Sequence, residues 1–400
     1  MKKILVLGGA EKMLPLLNYA KEKGYYIILC DYLLDNPGRE FADEYFSTSA
    51  TDKEAILELA REKNIDGIIS FSSDIIALTA AYVGNRLNIP SNPYESVLTL
   101  SRKDLFRHFL QKNHFNCPKA VSFHSYESAV REIDRFKIPF MVKPVDSAGS
   151  SGVVKIEDLK HFKQAFMNAI QISNEKKVII EEYVEMNHEC MIAGDAFVLD
   201  GKVEFMGLLN SYRGAIISPY IPTGTSYPVY LDEKQVGEVN ETVQRVMDIL
   251  DIKFGGFNLE LMFDKQGELY IIEIGPRNGG NMIPQLLRMA TGIDLISTLV
   301  ETSIGNYDID LQVKNIAPYC STYVIHSNRK GKLCNIKYKN GIKDKIVHEF
   351  MNLKKGDMVE MFDNSKKAIG IIFLKFNSLK EEKTILNNIE DYLEIELDNQ

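Results

Sequence analysis

The chain has 400 residues, 45% hydrophobic and 26% charged, with 47 basic against 55 acidic side chains and a net charge of −8. That composition buries a core, excludes a disordered or fibrous chain and, at roughly 150 residues per domain, accommodates two or three domains. The acidic balance leaves no global positive field for nucleic acid or an anionic membrane, so a polyanion has to be met locally.

Met1-Lys2-Lys3 and the apolar run Ile4–Leu7 imitate a signal peptide, but the run breaks at Gly8-Gly9 and reads as a first strand. A helix carrying Leu14, Leu17 and Ala20 stops at Gly24, and Tyr26–Cys30 is a second strand that ends at Asp31. A helix over Lys53–Lys63 and a strand over Gly67–Phe71 follow. Buried, non-alternating strands between amphipathic helices predict a parallel α/β sheet covered on both faces. Ile89-Pro90-Ser91-Asn92-Pro93 marks its boundary.

Ser101-x-x-Asp104 predicts a capped helix with Leu105, Phe109 and Leu110 on one face, and Ser125 starts another with Ala129, Ile133 and Phe136. The short strand Pro139–Lys143 is stopped by Pro144 and followed by the small-residue segment Asp146–Val153. A helix with Leu159, Phe162, Phe166 and Ile170 leads to a strand over Val178–Val184. Next come a hairpin at Asp200-Gly201, an irregular loop from Arg213 to Pro228, a helix over Glu233–Leu250 and a second hairpin from Gly255 to Ile274. From about Asn315 the pattern changes to short strands with charged turns; Ala368–Leu374 is an apolar strand, and Ser378-x-x-Glu381 caps a last helix carrying Leu386, Ile389 and Leu393. No apolar stretch reaches the 18 or so residues of a membrane span.

Two segments carry chemistry. Glycines and serines after Lys143 let backbone N–H groups approach an anion, and the lysine supplies a point charge for a phosphate; a surface turn would have the same composition. In the second hairpin, alternation puts Asn258 and Glu260 on one face, and registers pairing Glu273 with residue 258 or 260 put Glu273 there too. Two carboxylates about 4 Å apart repel by roughly 4 kcal/mol at an effective dielectric near 20, so something cationic is expected between them. The choice is Mg²⁺, for which carboxylate and amide oxygens are suitable donors, or Arg277 neutralising a structural pair.

Lys103, Val142-Lys143-Pro144 with the Asp146–Val153 loop, Glu181-Glu182-Tyr183-Val184 with Glu189, and Glu260 with Glu273-x-x-x-Arg277 stand in an order and spacing that resemble the ATP-grasp superfamily. The likeness is to its carboxylate–amine ligase branch, which includes carbamoyl-phosphate-synthase-like proteins and L-amino acid ligases. It extends over nearly the whole chain and implies a parallel-sheet α/β domain over 1–95, a two-part ATP-grasp domain over 96–305 with a lid at about 118–184, and a small α+β domain over 306–400.

By position, the resemblance implies that Lys103 and Lys143 contact ATP phosphates under a flexible loop holding Ser147, Gly149, Ser150, Ser151 and Gly152. The backbone of Glu181, Glu182, Tyr183 and Val184 would read the adenine edge, and Glu189 the ribose. Glu260 and Glu273 match ligands of Mg²⁺, or Mn²⁺ in its place, and Arg277 matches the cation that steadies the transferring phosphoryl group. Many members have Glu-x-Asn-x-Arg where this chain has Gly275, which leaves Asn278 or Asn258 to replace the amide, or one metal held less completely.

The implied reaction is phosphorylation of a small-molecule carboxylate by ATP and its capture by an amine, with an acyl phosphate between. It rests on positioning and charge neutralisation and needs no nucleophilic side chain. Accordingly, Cys30, Cys117, Cys190, Cys320 and Cys334 form no CxxC or Cys/His cluster and predict a reducing cytoplasm without disulfides or structural zinc. The seven histidines form no HxH or HxxxH pair, and His188 reads as a hydrogen-bonded surface residue. Arg213 is a candidate for a substrate carboxylate and Asp74 for an amine, solvated charge being the alternative for each. Two other classes stay open: an ATP-binding protein without turnover, motivated by Gly275, and a nicotinamide-dependent oxidoreductase using Gly8-Gly9 and Asp31, although the spaced glycines of that fingerprint are missing. A homodimer is the base-rate expectation.

Overall fold

The computed structural model describes residues 1–214, 219–314 and 316–398. Part of the predicted loop from Arg213 to Pro228, namely 215–218, and the predicted change of pattern at Asn315 therefore lie outside the described residues.

The chain opens with β1 (Lys3–Leu7), α1 (Leu14–Glu22), β2 (Tyr26–Cys30), β3 (Glu44–Phe46), α2 (Lys53–Lys63), β4 (Gly67–Ser70) and α3 (Asp74–Leu87). The strands form the expected parallel sheet, in the order β3-β2-β1-β4. Leu5, Leu7 and Ile28 pack towards α2 and α3, while Ile4, Val6 and Ile27 pack against α1 and against Ile296 and Val300 much later in the chain. Burial on both faces is why these strands do not alternate. The order reverses between β1 and β4, and the crevice outside their carboxyl ends is where α3 presents Asp74.

α4 (Tyr94–Ser101) and α5 (Lys103–Lys112) are separated by an extended Arg102. Ser101 is thus not the cap of α5 but the last residue of α4, its hydroxyl donating to Val97 O at 2.8 Å. Asp104 instead pairs with Arg102 and Lys177. A small antiparallel sheet, β5-β8-β6-β7, follows from β5 (Ala120–Phe123), α6 (Tyr126–Arg131), β6 (Phe140–Pro144), β7 (Val154–Ile156), α7 (Phe162–Ile172) and β8 (Val178–Glu182). Phe140, Phe162 and Phe166 make its core.

The remainder comprises β9 (Met191–Leu199), β10 (Lys202–Arg213), β11 (Pro222–Tyr227), α8 (Glu233–Ile249), β12 (Gly255–Phe263), β13 (Leu269–Gly275), α9 (Ile283–Thr291), α10 (Leu295–Ser303), β14 (Cys320–Ile325), β15 (Gly331–Tyr338), β16 (Ile346–Met351), β17 (Met358–Val359), β18 (Gly370–Lys375), α11 (Leu379–Leu386) and β19 (Leu393–Asp398). Among the described residues the large sheet runs β13-β12-β9-β10-β11-β14-β18-β16, antiparallel throughout, with α8 on one face and α9 on the other.

Two expectations change here. Much of the predicted irregular loop is β11, a central strand: Pro222 takes its first position, where a missing N–H is tolerated, and the Thr225 and Thr322 hydroxyls meet at 2.8 Å. Gly224 is required by contact, since a Cβ there would lie 2.6 Å from Thr322 O. At the C-terminus, α11 stops at Leu386, and Leu393 begins a strand paired with β15 rather than ending a helix. The region after 306 contributes β14, β16 and β18 to the large sheet. With that qualification, 1–95, 96–305 and 306–400 remain our proposed domain boundaries.

Glu382 of α11 is fully buried, with the Tyr230 hydroxyl donating to Oε1 at 2.8 Å. Burial outweighs the hydrogen bonds from Tyr230 and Ser226 and the charge of Lys383, and pushes its pKa up to about 7. The folded chain therefore holds a proton that the unfolded chain releases, so this contribution is complete below about pH 4.5 and is lost as pH rises through about 7. Glu382→Gln is expected to flatten the fall in stability over that window and to exceed the wild type above it by on the order of 3 kcal/mol in urea melts. An unchanged pH slope in the variant would assign the effect to another group.

Candidate active site

β12 and β13 pair with Glu260 directly opposite Glu273 and Asn258 opposite Gly275, with a bulge after Glu260. One of the two predicted registers is therefore present, and both carboxylates lie on the same face. Each has a cation of its own: Lys103 Nζ is 3.1 Å from Glu273 Oε2, and Arg213 Nη2 is 3.0 Å from Glu260 Oε1. Burial alone would lower the Lys103 pKa, but Glu273 reverses this and leaves it raised. For Glu273, burial works upward, and Lys103 with Arg277 overcomes it to hold the carboxyl below its ordinary range.

Lys103 is the first residue of α5, and Nζ also donates to Ser147 O at 2.8 Å. One turn further, Arg107 reaches Glu181 with Nε at 2.8 Å and Ile272 O with Nη2 at 2.8 Å. The other oxygen of Glu181 holds Lys143. Glu181 is completely buried; that burial opposes ionisation, but the two cations bring its pKa down to about 2. This places Glu181 differently from expectation. Its backbone lies between β5 and β6, and its side chain anchors Lys143. Glu182 is also committed, exchanging bonds with the Lys119 backbone, so only Tyr183 and Val184 leave the strand for an adenine edge.

The loop after β6 rests on the rest of the site. The Ser150 hydroxyl donates to Tyr220 O at 2.9 Å, and Arg213 Nη1 donates to the same carbonyl at 3.2 Å. Ser147 Oγ donates to Ser151 O, and Gly149 and Gly152 adopt φ of +62° and +73°, a region that favours glycine. A continuous chain thus runs from the loop through Tyr220 and Arg213 to Glu260.

Among the described residues Arg277 forms no ion pair with either carboxylate. It makes a two-point contact with Asp74, Nε–Oδ1 and Nη2–Oδ2 each 3.1 Å, so the N-terminal sheet contributes an acid to the site. A Cβ at Gly275 would approach Asp74 Oδ1 at 3.0 Å and Arg277 Cζ at 3.2 Å, so the ion pair packs closely over this glycine.

Two expected ligands lie elsewhere. Asn278 lies over Gly256, and Nδ2 donates to Asp195 Oδ2 at 3.0 Å, four residues along β12 from Glu260, so it is not brought to the carboxylates. Glu189 pairs with Lys383 of α11 in a cleft that includes Asn210, which is on the opposite face of the sheet from Glu260. Asp31, the acid of the nicotinamide alternative, accepts from the backbone N–H groups of Gly9 and Leu33, one at each oxygen. Sequence reading missed Arg107, although its spacing of four from Lys103 was a signal, and Asp195, a lone acid in the apolar strand Met191–Leu199.

Residues 111–304 match the family model for the D-ala D-ala ligase C-terminus. This stretch, just under half of the chain, is similar to ATP-grasp ligases. The fold is similar over the whole chain to that of the L-amino acid ligase of Bacillus licheniformis, with a TM-score of 0.83 at 19% identity over 100% of this chain and 99% of that one. Phosphoribosylglycinamide synthetase of Anaerococcus prevotii gives 0.75 at 20% identity over 99% and 100%. In sequence, this chain is 24% identical over 249 residues to the carbamoyl phosphate synthase large chain of Thermoanaerobacter pseudethanolicus, 61% of this chain and 22% of that protein. It therefore spans about a fifth of the large chains it matches. N5-carboxyaminoimidazole ribonucleotide synthase of Staphylococcus saprophyticus is 21% identical over 68% of this chain and 69% of its own length.

Proposed function

We propose that the protein is an ATP-dependent carboxylate–amine ligase that phosphorylates a small-molecule acid and passes the acyl group to an amine. The observation that carries this reading is the register that opposes Glu260 and Glu273, each balanced by a cation. Two anionic oxygens that attract Lys103 and Arg213 suit a divalent cation, so Glu260 and Glu273 would hold Mg²⁺, or Mn²⁺. When bound, the metal supplies neutralisation of the triphosphate charge.

Lys103 and Arg213, once released from those carboxylates, are free for phosphate or substrate oxygens. Lys143, held in place by Glu181, faces the transferring phosphate, and Arg277 steadies the acyl phosphate while Asp74 fixes its guanidinium or receives the amine. The loop holding Ser147, Gly149, Ser150, Ser151 and Gly152 excludes water from the activated acid. Tyr183 and Val184 read the adenine, and Glu189 would serve the ribose only after leaving Lys383. Among the described residues no helix is long and apolar enough to cross a membrane; cytoplasmic location and a homodimer are part of the proposal.

The test is a screen of acid and amine pairs for Mg²⁺-dependent release of ADP and phosphate. Release that requires both partners supports the ligase. Gly275 motivates the second reading, ATP binding without turnover, which tight ATP binding with no release across the panel would favour.

A further inference from the structure

Asn258 is two residues from Glu260 on the same face of β12 and directly opposite Gly275, the position at which the ATP-grasp pattern places its amide. A side chain at that position would crowd the Asp74–Arg277 pair, with a Cβ 3.0 Å from Asp74 Oδ1 and 3.2 Å from Arg277 Cζ. The Asn258 amide is oriented by its nitrogen. Nδ2 donates to Gly194 O at 2.9 Å and to Asp195 Oδ1 at 3.1 Å, so both its hydrogens are spent on β9. Because the amide is planar, Oδ1 is turned away from β9, and no hydrogen bond to it is present among the described residues.

Asp195 makes that orientation rigid. It is fully buried and accepts from Gly279 N at 2.9 and 3.0 Å and from Asn278 Nδ2 at 3.0 Å, as well as from Asn258. Gly279 lets the turn close down: a Cβ there would lie 2.8 Å from Asn258 Nδ2 and 2.9 Å from Asp195 Oδ1. One carboxylate thus ties the segment that carries Arg277 to the strand that carries Glu260.

We propose that Asn258 Oδ1 is the third protein donor to the cation held by Glu260 and Glu273, replacing the amide absent at Gly275, and that Asp195 is the positioning residue that aims it. A neutral amide oxygen beside two carboxylates is a hard-oxygen set suited to Mg²⁺ or Mn²⁺, and outer partners of such ligands commonly change metal affinity 10- to 100-fold. The inference rests on the metal reading of Glu260 and Glu273.

The experiment measures Mn²⁺ binding directly, by the loss of the free-ion electron paramagnetic resonance signal in the presence of ADP, independently of turnover. Asn258→Ala and Asp195→Asn are each expected to weaken Mn²⁺ binding about tenfold or more. Metal-free melting curves report folding separately, and Asn258→Ser takes the place of Asn258→Ala if the latter does not fold. Glu260→Gln separates the two ideas. If Glu260→Gln loses Mn²⁺ while a folded Asn258 variant binds it within about twofold of wild type, this inference is overturned and the metal pair stands. If Glu260→Gln binds like wild type, the underlying metal reading falls and takes this inference with it.

Discussion

Glu273→Gln is expected to lower Mg²⁺-dependent ADP release by on the order of 10³-fold, comparable to the upper range for removing one aligned electrostatic group from a catalytic site. The substitution keeps the shape of the side chain and its place opposite Glu260, so β13 should pair as before. What changes is charge. One carboxylate can no longer balance Lys103 and share a divalent cation, and Lys103 is left with Ser147 O. Steady-state release with saturating acid, amine and ATP reads the effect in kcat, with urea melts as a check on folding. Turnover within a few-fold of wild type would remove Glu273 from the metal site.

Glu181→Ala should cause the largest loss of stability, about 3–5 kcal/mol, the usual cost of deleting one member of a buried charged group. Arg107 is only 3% exposed and Lys143 is nearly as buried, so removal of the shared carboxylate leaves two cations in a poor solvent. The same group sets an acid limit. Its pKa is about 2 in the folded chain against an ordinary value of 4.5, so its contribution is complete above pH 4.5 and is lost as pH falls towards about 2. Urea melts across that range should show the wild type losing stability on acidification more steeply than the variant. ATP binding should weaken as well, because Lys143 loses its anchor. A variant that melts like wild type at neutral pH would mean that the triad is worth no more than its desolvation cost.

The parallel sheet was legible because Ile4–Leu7 and Tyr26–Cys30 are uninterrupted apolar runs, a pattern that only burial on both faces supports. The face shared by Glu260 and Glu273 was legible because a strand has a period of two and a short turn restricts the register. β11 was not, since Pro222 and Gly224 are turn residues by propensity, and their tolerance depends on a first-strand position and on contact with Thr322. Side-chain direction was the second obstacle. Spacing put Asn278 and Glu189 in the right order, but the turn after Gly275 aims Asn278 at Asp195, and Lys383 draws Glu189 aside. Asp195 stood out only as a lone acid in an apolar strand, and its partners, 63 to 84 residues further along the chain, could not be read from local spacing.

The N-terminal sheet borrows part of its cover from α10, where Ile296 and Val300 pack beside Val6 and Ile69 and Ser303 O stands where a Cβ of residue 67 would be. During synthesis the four strands leave the ribosome long before that helix exists. At about 5–20 residues per second, some 230 residues separate the two events and the apolar patch waits roughly 10–45 s for its cover. That face of the first sheet therefore stays uncovered until α10 has been made.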